Sequence, residues 1–455
     1  MSPSAPKCVV AGSAAVPRAF ATPVCRVLAA SVTLAGFIGV SLASDPVVPP
    51  PAPASASSAT APAVEPTPPR GPQGVPPAAA PSEPTVVEGA GPGHLFSTLD
   101  RDGDVGLYSS IAVTADGLGL IGYYDASNGH LKVAHCQDLA CSAAAIATLD
   151  AAPDVGRFAS ITVAPDGLGL ISYYDAANHA LKVAHCANHA CSSAAIATLD
   201  RTGDVGQYSS IRVGADRRGL ISYYDSTNGN LKVAHCSDIV CSSATVATLD
   251  RTDGVGLFTS VAIGVDGLGL IGYYDAKNRH LKVAHCNNAL CSSATITALD
   301  SGGAVGQYTS VMIAPDGLGL IGYYDAANRD LKVAKCQAPT CTSAIISTLD
   351  TAGDVGQYTS SSPDGFGLLS YFDATNGDLK VAHCSNPDCT AATTATLESR
   401  KGVGWFTSTA ISTVGLPLIT YYDYTNHRLK VAHCNDLSCS TPAPEASGSA
   451  PAVGP

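Results

Sequence analysis

Charged and aromatic side chains are scarce in this chain of 455 residues. Only 14% of the residues are charged and 6% are aromatic, with a single Trp and two Met. The chain has 25 Lys and Arg but 37 Asp and Glu, so it lacks the excess of positive charge that binds a phosphate backbone, and no nucleic-acid partner is expected. The 44 Gly and 30 Pro also disfavour a helical bundle or a coiled coil and favour many short strands joined by turns.

The first 43 residues have the composition of an export signal. Residues 1–26 contain three basic residues and no acid, and Val27 to Ala43 is then an uninterrupted, weakly apolar run. The small side chains of Ser41 and Ala43 predict cleavage before Ser44, with an uncleaved membrane anchor as the alternative. No Cys follows the run, which disfavours a lipoprotein signal.

Two segments rich in Pro and Ala flank the rest of the chain. Half of the 30 Pro lie between residues 45 and 92, and the stretch 441–455 has a similar composition. Neither segment has the apolar side chains that form a core, so the sequence predicts a disordered, largely polyproline linker at 44–93 and a disordered tail at 441–455.

The remaining segment, 94–440, consists of seven copies of one motif. The sequence Leu-Lys-Val-Ala-His-Cys begins at Leu131 and recurs every 50 residues, except for one interval of 48, and Lys335 replaces the His in the fifth copy. A period of this length is typical of solenoids, propellers and arrays. Each copy contains four stretches in which the apolar period is two, which predicts four β-strands.

Turn-forming residues separate these strands. In the first copy the predicted strands are Tyr108–Thr114, Leu118–Asp125, His130–Cys136 and Ala145–Leu149. Asp116-Gly117 joins the first two and Asn128-Gly129 the next two, because Asn and Gly tolerate positive φ. Where the Gly is missing, as after Asn178, we expect the Asn itself to hold the left-handed position.

The two ends of the array complete each other. The last copy ends at Cys439 without a fourth strand, whereas Leu95–Leu99 is a spare fourth strand ahead of the first copy. An open solenoid leaves both ends bare, whereas a ring pairs them. The sequence therefore predicts an all-β, seven-bladed β-propeller with four antiparallel strands per blade, closed by the N-terminal strand on the last blade.

Fourteen of the 16 Cys form one pair per copy. The pairs are Cys136/Cys141, Cys186/Cys191, Cys236/Cys241, Cys286/Cys291, Cys336/Cys341, Cys384/Cys389 and Cys434/Cys439. In an exported protein this even count predicts seven disulfides, with free thiols and a zinc site as alternatives. Zinc is disfavoured because His135 and Cys136 are neighbours on a strand and point to opposite faces. A calcium site at Asp100–Asp104 is also disfavoured, because the segment lacks the Gly and the Glu that an EF-type loop has at its sixth and twelfth positions. No metal or other cofactor is predicted.

An invariant Tyr and an invariant Asp mark the second strand of every copy. They are Tyr123 and Asp125, Tyr173 and Asp175, Tyr223 and Asp225, Tyr273 and Asp275, Tyr323 and Asp325, Tyr371 and Asp373, and Tyr421 and Asp423. In the structural interpretation the Tyr packs between blades and the Asp accepts N–H groups in the hairpin turn. In the functional interpretation the Tyr stacks on a sugar ring and the Asp binds its hydroxyls. Lys132 lies across the same hairpin.

An enzyme active site needs several different catalytic side chains close together, whereas near-identical copies place the same side chains at seven equivalent positions. The repeat therefore disfavours an enzyme. Glu398 is the only Glu between residues 94 and 440, so a Glu pair for glycoside hydrolysis cannot be assembled, which leaves Asp pairs as the alternative. The copies that depart from the pattern are the sixth, which is shortened near Ser360–Pro363, and the seventh, which contains Trp405 and Tyr424. A hydrolase or lyase with a single site at these two blades is the alternative hypothesis.

The turns between the first two strands, such as Ala164-Pro165-Asp166-Gly167-Leu168-Gly169, resemble those of bacterial secreted seven-bladed propellers of the sialidase-like and propeller-lectin kinds. The resemblance covers residues 94–440. Thr114–Gly119 departs from the sialidase Asp-box, Ser-x-Asp-x-Gly-x-Thr-Trp, in its Gly positions and lacks the Trp. The Arg cluster, Tyr and Glu of sialidase catalysis have no match here, so the resemblance implies a fold and a glycan ligand rather than an activity.

These observations lead to one functional expectation. We expect an exported, non-catalytic and monomeric binding module, secreted, periplasmic or on the cell surface, that recognises glycans or cell-surface proteins through several blades at once. Contact with a membrane is expected only if the N-terminal segment stays uncleaved as an anchor.

Overall fold

The computed structural model of the chain describes residues 93–440, which contain 28 β-strands and no helix. The predicted export signal, nearly all of the predicted linker and the predicted tail lie outside the described residues. Within residues 93–440, no helix capable of crossing a membrane is found.

The strands follow one another in seven equivalent sets. Blade 1 contains β2 (Val105–Val113), β3 (Gly119–Asp125), β4 (His130–Cys136) and β5 (Ala144–Asp150); blade 2 contains β6 (Val155–Val163), β7 (Gly169–Asp175), β8 (Ala180–Cys186) and β9 (Ala194–Asp200). Blade 3 contains β10 (Val205–Val213), β11 (Gly219–Asp225), β12 (Asn230–Cys236) and β13 (Ala244–Asp250); blade 4 contains β14 (Val255–Ile263), β15 (Gly269–Asp275), β16 (His280–Cys286) and β17 (Ala294–Asp300). Blade 5 contains β18 (Val305–Ile313), β19 (Gly319–Asp325), β20 (Asp330–Cys336) and β21 (Ala344–Asp350); blade 6 contains β22 (Val355–Ser362), β23 (Leu368–Asp373), β24 (Asp378–Cys384) and β25 (Ala392–Glu398). Blade 7 contains β26 (Val403–Ile411), β27 (Pro417–Asp423), β28 (Arg428–His433) and the N-terminal strand β1 (Leu95–Asp100).

The predicted ring closure is confirmed. The last sheet has the order β1-β28-β27-β26, and β1 pairs antiparallel with β28 through Leu95 opposite His433 and Phe96 opposite Ala432. The other six sheets each contain four consecutive antiparallel strands. The seven-bladed β-propeller expected from the repeat is therefore the observed fold, although the first strand of each copy begins three residues earlier than predicted.

Neighbouring blades are joined by apolar packing and by a repeated hydrogen bond. Leu131 and Val133 of blade 1 pack against Ile161 and Tyr173 of blade 2, and equivalent residues pack at the other interfaces. On the inner strands, the N–H of Ile161 donates to Ser110 Oγ at 3.1 Å. This bond recurs at all seven interfaces, including the one between the last blade and the first.

One turn differs from its prediction. In the hairpin between the second and third strands, the left-handed position is the residue after the Asn, such as His179 with φ 54°. The Asn is held elsewhere, because Asn178 donates its Nδ2 to the Asp175 carboxylate at 3.0 Å and its N–H to the same group at 2.9 Å. The expectation that Asn takes the left-handed position was therefore wrong.

All seven predicted disulfides are present: in blades 1 to 6 each joins the end of the third strand to the segment that leads to the fourth, and in blade 7 it closes the loop directly after β28. They join Cys136 to Cys141, Cys186 to Cys191, Cys236 to Cys241, Cys286 to Cys291, Cys336 to Cys341, Cys384 to Cys389, and Cys434 to Cys439. The seven bonds occupy all fourteen Cys of the propeller, so none is free to bind zinc or to act as a thiol. Their number is consistent with an exported protein.

The second Cys of each pair has a left-handed backbone. The predicted left-handed positions were Asn and Gly of the hairpin turns, and φ also lies between 48° and 56° at Cys141, Cys191, Cys241, Cys291, Cys341, Cys389 and Cys439. The physical reason is a tight turn, in which the Cys141 N–H donates to the Asp138 carbonyl at 3.0 Å and the chain returns to Cys136 within five residues. Residue type does not reveal this conformation, because Cys is not a residue that favours it.

His135, beside Cys136, points away from the disulfide. It contacts Asp116 of the Asp-Gly turn, with Nε2 and Oδ2 2.9 Å apart. The equivalent Lys335 of the fifth copy makes the same link, with Nζ 2.8 Å from Asp316 Oδ1. In both blades, the side chain that precedes the first Cys therefore contacts the carboxylate of the turn between the first two strands.

A candidate ligand site on the propeller axis

The inner strand of every blade has a bulge that turns an aromatic side chain into the central channel. In blade 1 the pairing of β2 with β3 shifts between Val105 and Leu107 and again before Ser110. Gly106 has φ 106° and Tyr108 has φ 54°, a region that residues with a side chain rarely adopt. A bulge leaves its extra residues unpaired and redirects their side chains, so the Tyr108 ring leaves the blade and faces its counterparts from the other blades.

Seven such side chains form a closed ring, which we call the axial rosette: Tyr108, Phe158, Tyr208, Phe258, Tyr308, Tyr358 and Phe406. Neighbouring ring centroids are 4.5 to 4.7 Å apart and neighbouring planes are inclined by 45° to 57°. Successive blades of a seven-bladed ring are rotated by about 51°, so inclinations around this value mean that the ring planes run parallel to the axis. All seven side chains are half-buried.

The rosette requires a strained backbone at each of its aromatic residues. All seven aromatic residues have φ between 52° and 54°. Such conformations cost about 1–3 kcal/mol each and concentrate at functional sites. The Gly two residues earlier is also required, because a Cβ on Gly106 would lie 2.8 Å from the Leu429 Cα of the neighbouring blade. The pattern Val-Gly-x-aromatic therefore encodes the bulge in every copy.

A cavity of ≈ 170 Å³ is lined by the rosette and by the residue that follows each aromatic ring. Those following residues are Ser109, Ala159, Ser209, Thr259, Thr309, Thr359 and Thr407. Several of their hydroxyls also connect blades, as where Ser209 Oγ donates to the Phe158 carbonyl at 2.9 Å and Thr407 Oγ1 to the Tyr358 carbonyl at 2.8 Å. The lining thus combines aromatic rings and hydroxyls and contains no carboxylate, imidazole, ammonium or guanidinium group.

The phenols of the rosette are neutral at neutral pH. Burial raises the pKa of Tyr308 to about 12, with a hydrogen bond from the Tyr358 hydroxyl acting against the rise and the Asp354 charge adding to it. Burial likewise raises the pKa of Tyr108 and Tyr208, where the other phenols nearby add to the shift of Tyr208. These hydroxyls are therefore neutral groups that donate and accept hydrogen bonds, as Tyr358 and Tyr308 do with one another.

A second layer of aromatic side chains supports the rosette from the neighbouring strand. Tyr124 lies 6.3 Å from Tyr108, centroid to centroid, and donates its hydroxyl to Asp154 of the next blade at 2.7 Å. The same contact with an Asp of the next blade is made by Tyr174, Tyr324 and Tyr422. A hydroxyl used in this way connects two blades, so this layer is structural.

The Tyr and Asp predicted as sugar-binding residues lie elsewhere, between the blades. Tyr123 has no exposed surface and donates its hydroxyl to Asp100 Oδ2 at 2.6 Å. Lys132 Nζ lies 2.6 Å from the same oxygen and 5.8 Å from the Tyr123 ring centroid. Asp125 accepts the N–H of Asn128 at 3.1 Å and its Nδ2 at 2.9 Å. These are the contacts of the structural interpretation, and a ring without exposed surface offers no face for a sugar.

The same arrangement recurs in every blade. The buried equivalents are Tyr173, Tyr223, Tyr273, Tyr323, Tyr371 and Tyr421, with Asp175, Asp225, Asp275, Asp325, Asp373 and Asp423. The acid that receives the Tyr hydroxyl comes from the preceding blade and is Asp in six cases and Glu398 in the seventh. Burial acts to raise the pKa of Asp150, but hydrogen bonds from Lys182, the Ala152 N–H and Tyr173 outweigh it and hold that pKa below 3.8.

Blade 7 departs from the other blades beside the rosette. Trp405 stands where blade 1 has Leu107, and Tyr424 stands where the other blades have Ala or Ser. The Trp405 and Tyr424 rings stack at 4.9 Å with planes 12° apart, and Trp405 also stacks on Tyr358 of the rosette at 5.5 Å. We call Trp405 and Tyr424 the blade 7 platform. Asp373, the other residue singled out at these blades, holds its own hairpin by accepting the Asn376 N–H at 3.0 Å.

Comparison with known proteins shows the fold and nothing finer. No family model matches the chain, and no curated protein matches it by sequence. Among solved structures, an ulvan lyase of a polysaccharide lyase family is similar with a TM-score of 0.51 and 9% identity, over 74% of this chain and 96% of that one. The NanB sialidase from Streptococcus pneumoniae has a TM-score of 0.42 and 7% identity, over 74% and 70% of the two chains. The leech intramolecular trans-sialidase has a TM-score of 0.42 and 10% identity, over 74% and 69%.

Proposed function

We propose that the protein is an exported, non-catalytic binding module that holds a neutral glycan in the axial cavity. The observation that carries this proposal is the lining, in which half-buried aromatic rings and uncharged hydroxyls surround one point. Small-molecule sites combine aromatic side chains with a few well-placed polar groups. A neutral sugar matches such a lining, because its C–H groups contact the uncharged aromatic rings and its hydroxyls hydrogen-bond the Tyr phenols.

The absence of charge in the lining supports a neutral ligand over an anionic one. An ionised carboxylate or sulfate loses its hydration on burial, and this cost is recovered only when cations or N–H groups surround it. The residues that line the cavity include no Lys, Arg or His. Sialic and uronic acids are therefore expected to bind more weakly than neutral sugars.

The same lining supports binding over the alternative of a hydrolase or lyase at blades 6 and 7. General acid–base catalysis needs a group whose pKa lies near the working pH. The titratable groups of the lining are phenols, and burial raises the pKa of Tyr308 to about 12. One axis also provides one cavity, so the proposed stoichiometry is one ligand per chain rather than one per blade.

Replacement of two rosette hydroxyls tests the proposal. Phe occupies the rosette in blades 2, 4 and 7, so the double variant Tyr208→Phe, Tyr308→Phe keeps the ring and removes only two hydroxyls. Calorimetric titration with neutral oligosaccharides, found by screening a glycan array, is expected to give one site and about tenfold weaker binding by the variant, because each hydrogen bond contributes about 0.5–1.5 kcal/mol. Unchanged affinity, seven sites per chain, or a preference for sialylated glycans would contradict the proposal.

A further inference from the structure

The blade 7 platform extends from the rosette to the protein surface. Two stacking contacts, of 5.5 Å from Tyr358 to Trp405 and 4.9 Å from Trp405 to Tyr424, connect the axial cavity with the outer face of the Tyr424 ring. Tyr424 is the most exposed member of the stack, with 46% of its surface exposed, whereas Trp405 and Tyr358 are half-buried.

The fold itself gives no reason for this pair of rings. The equivalents of Tyr424 in the other blades are Ala or Ser, so the position needs no large side chain. The Trp405 indole N–H is buried and has no hydrogen-bond partner among the described residues. A buried donor without a partner costs about 1–3 kcal/mol, which makes Trp405 a poor choice for stability alone.

Blade 2 provides an internal comparison for the polar groups around the platform. In blade 7 the Tyr422 hydroxyl lies 2.7 Å from Asp104 Oδ1 and 2.7 Å from His427 Nδ1. Blade 2 contains the same group, with the Tyr174 hydroxyl 2.6 Å from Asp204 Oδ1 and 3.2 Å from His179 Nδ1. Blade 2 lacks the aromatic pair, since Arg157 and Ala176 replace it. The cluster of Tyr, Asp and His side chains is thus common to blades 2 and 7, whereas the platform of Trp405 and Tyr424 is found in blade 7 and not in blade 2.

The polar group in blade 7 also lies within reach of a ligand on the platform. The His427 ring is 5.9 Å from the Tyr424 ring, and 53% of the His427 side chain and 36% of the Asp104 side chain are exposed. An exposed aromatic face flanked by an imidazole and a carboxylate suits a sugar unit, which stacks its C–H face and bonds its hydroxyls at the edge.

We infer that Tyr424 forms a second sugar subsite, joined to the axial cavity through Trp405, and that the ligand is an oligosaccharide rather than a monosaccharide. This inference rests on the proposed function, because the first sugar unit occupies the axial cavity. The next units leave the cavity over blade 7 and stack on Tyr424. Aromatic stacking contributes about 0.5–1.5 kcal/mol, so the second subsite is expected to raise affinity by about threefold to tenfold.

The single Trp of the chain makes the subsite directly observable, because all Trp fluorescence comes from Trp405. The full chain, Tyr424→Ala and the control Leu437→Ala are titrated with glucose, cellobiose and cellotriose and with the corresponding N-acetylglucosamine series. Leu437 is an exposed residue of the same blade in the disulfide loop at the opposite end of β28. The expected result is a change in Trp emission with di- and trisaccharides, and a threefold to tenfold loss of their affinity in Tyr424→Ala only, with monosaccharide affinity unchanged.

The outcomes separate this inference from the proposed function. If Tyr424→Ala binds sugars of every length as tightly as the wild type, or loses affinity equally for all lengths, the second subsite does not exist. In that case, weaker binding by Tyr208→Phe, Tyr308→Phe would still support the axial cavity. If both variants bind a trisaccharide as the wild type does, or if no neutral sugar binds, the proposed function fails as well.

Discussion

The ion pairs between blades make a quantitative prediction at Lys232. Its Nζ lies 2.5 Å from Asp200 Oδ2, and the two side chains are only 8% and 3% exposed. In Lys232→Met the Asp200 carboxylate stays buried with two neutral donors, the Tyr223 hydroxyl at 2.7 Å and the Thr202 N–H at 2.9 Å. Removal of one partner of a buried pair leaves an uncompensated charge and costs about 3–5 kcal/mol.

The expected loss is large enough to measure by thermal unfolding. With an unfolding entropy of about 2.1 cal/mol/K per residue, a loss of 3–5 kcal/mol over the propeller corresponds to a Tm lower by about 4–7 °C. Lys277→Met is the matched control, because Lys277 and Asp253 are 3.7 Å apart with side chains 59% and 80% exposed. An exposed pair of this kind contributes about 0–1 kcal/mol.

The pH dependence distinguishes a lost charge pair from lost packing. In the wild type, burial acts to raise the pKa of Asp200, and hydrogen bonds from Lys232, Thr202 and Tyr223 hold it below 3.8 instead. Its stabilisation is therefore present above pH 4 and lost as the pH falls through the lowered pKa. In Lys232→Met, burial is expected to raise the pKa of Asp200. Protonation at low pH then removes the unpaired buried charge, so the difference in unfolding free energy between the wild type and the variant should become smaller in acid. A deficit no larger than that of Lys277→Met, or one constant between pH 3 and pH 8, would refute this account.

Two further predictions concern the rosette. Gly106→Ala should destabilise the fold by about 1–3 kcal/mol or more, because its Cβ would meet the Leu429 backbone at 2.8 Å in a strained conformation, whereas Gly415→Ala, at φ 82° with open space around it, should cost less. Equal losses in thermal unfolding would contradict the close approach. Because burial raises the pKa of Tyr308 to about 12, ionisation of this phenol is disfavoured in the fold, so the free energy of unfolding should be unaffected by it below pH 10 and should fall as the pH rises from 10 towards 12. Phenolate absorbance should follow that loss, and complete titration near pH 10 without unfolding would exclude buried phenols.

The closed ring of blades could be predicted because the features that indicate it, a repeat and a spare strand, can be read directly along the sequence. The 50-residue period and the spare strand at Leu95 need no knowledge of contacts in space. The rosette was missed for a physical reason, since the bulge at Gly106 and Tyr108 breaks the period of two on which strand prediction depends. The partner of Lys132 was missed because Asp100 belongs to the strand of the preceding blade. The contact of Lys132 lies between two blades, so the pattern of one copy does not reveal it.

Comparison of the seven copies distinguishes residues that stabilise the fold from residues that bind the proposed ligand. A contact that the fold needs is needed equally in every blade, and the Tyr, the Lys and the Ser Oγ contacts are present at all seven interfaces. A ligand on the axis has no sevenfold symmetry, so the residues that recognise it need not repeat. The rosette shows both behaviours, because its aromatic rings repeat in every blade while its hydroxyls occur in four, including the adjacent Tyr308 and Tyr358. The rings are thus the part required for packing, and the hydroxyls are the part that can vary with the ligand. For this reason Tyr→Phe in the rosette should change binding and leave the unfolding temperature nearly unchanged, whereas loss of Lys232 should do the reverse.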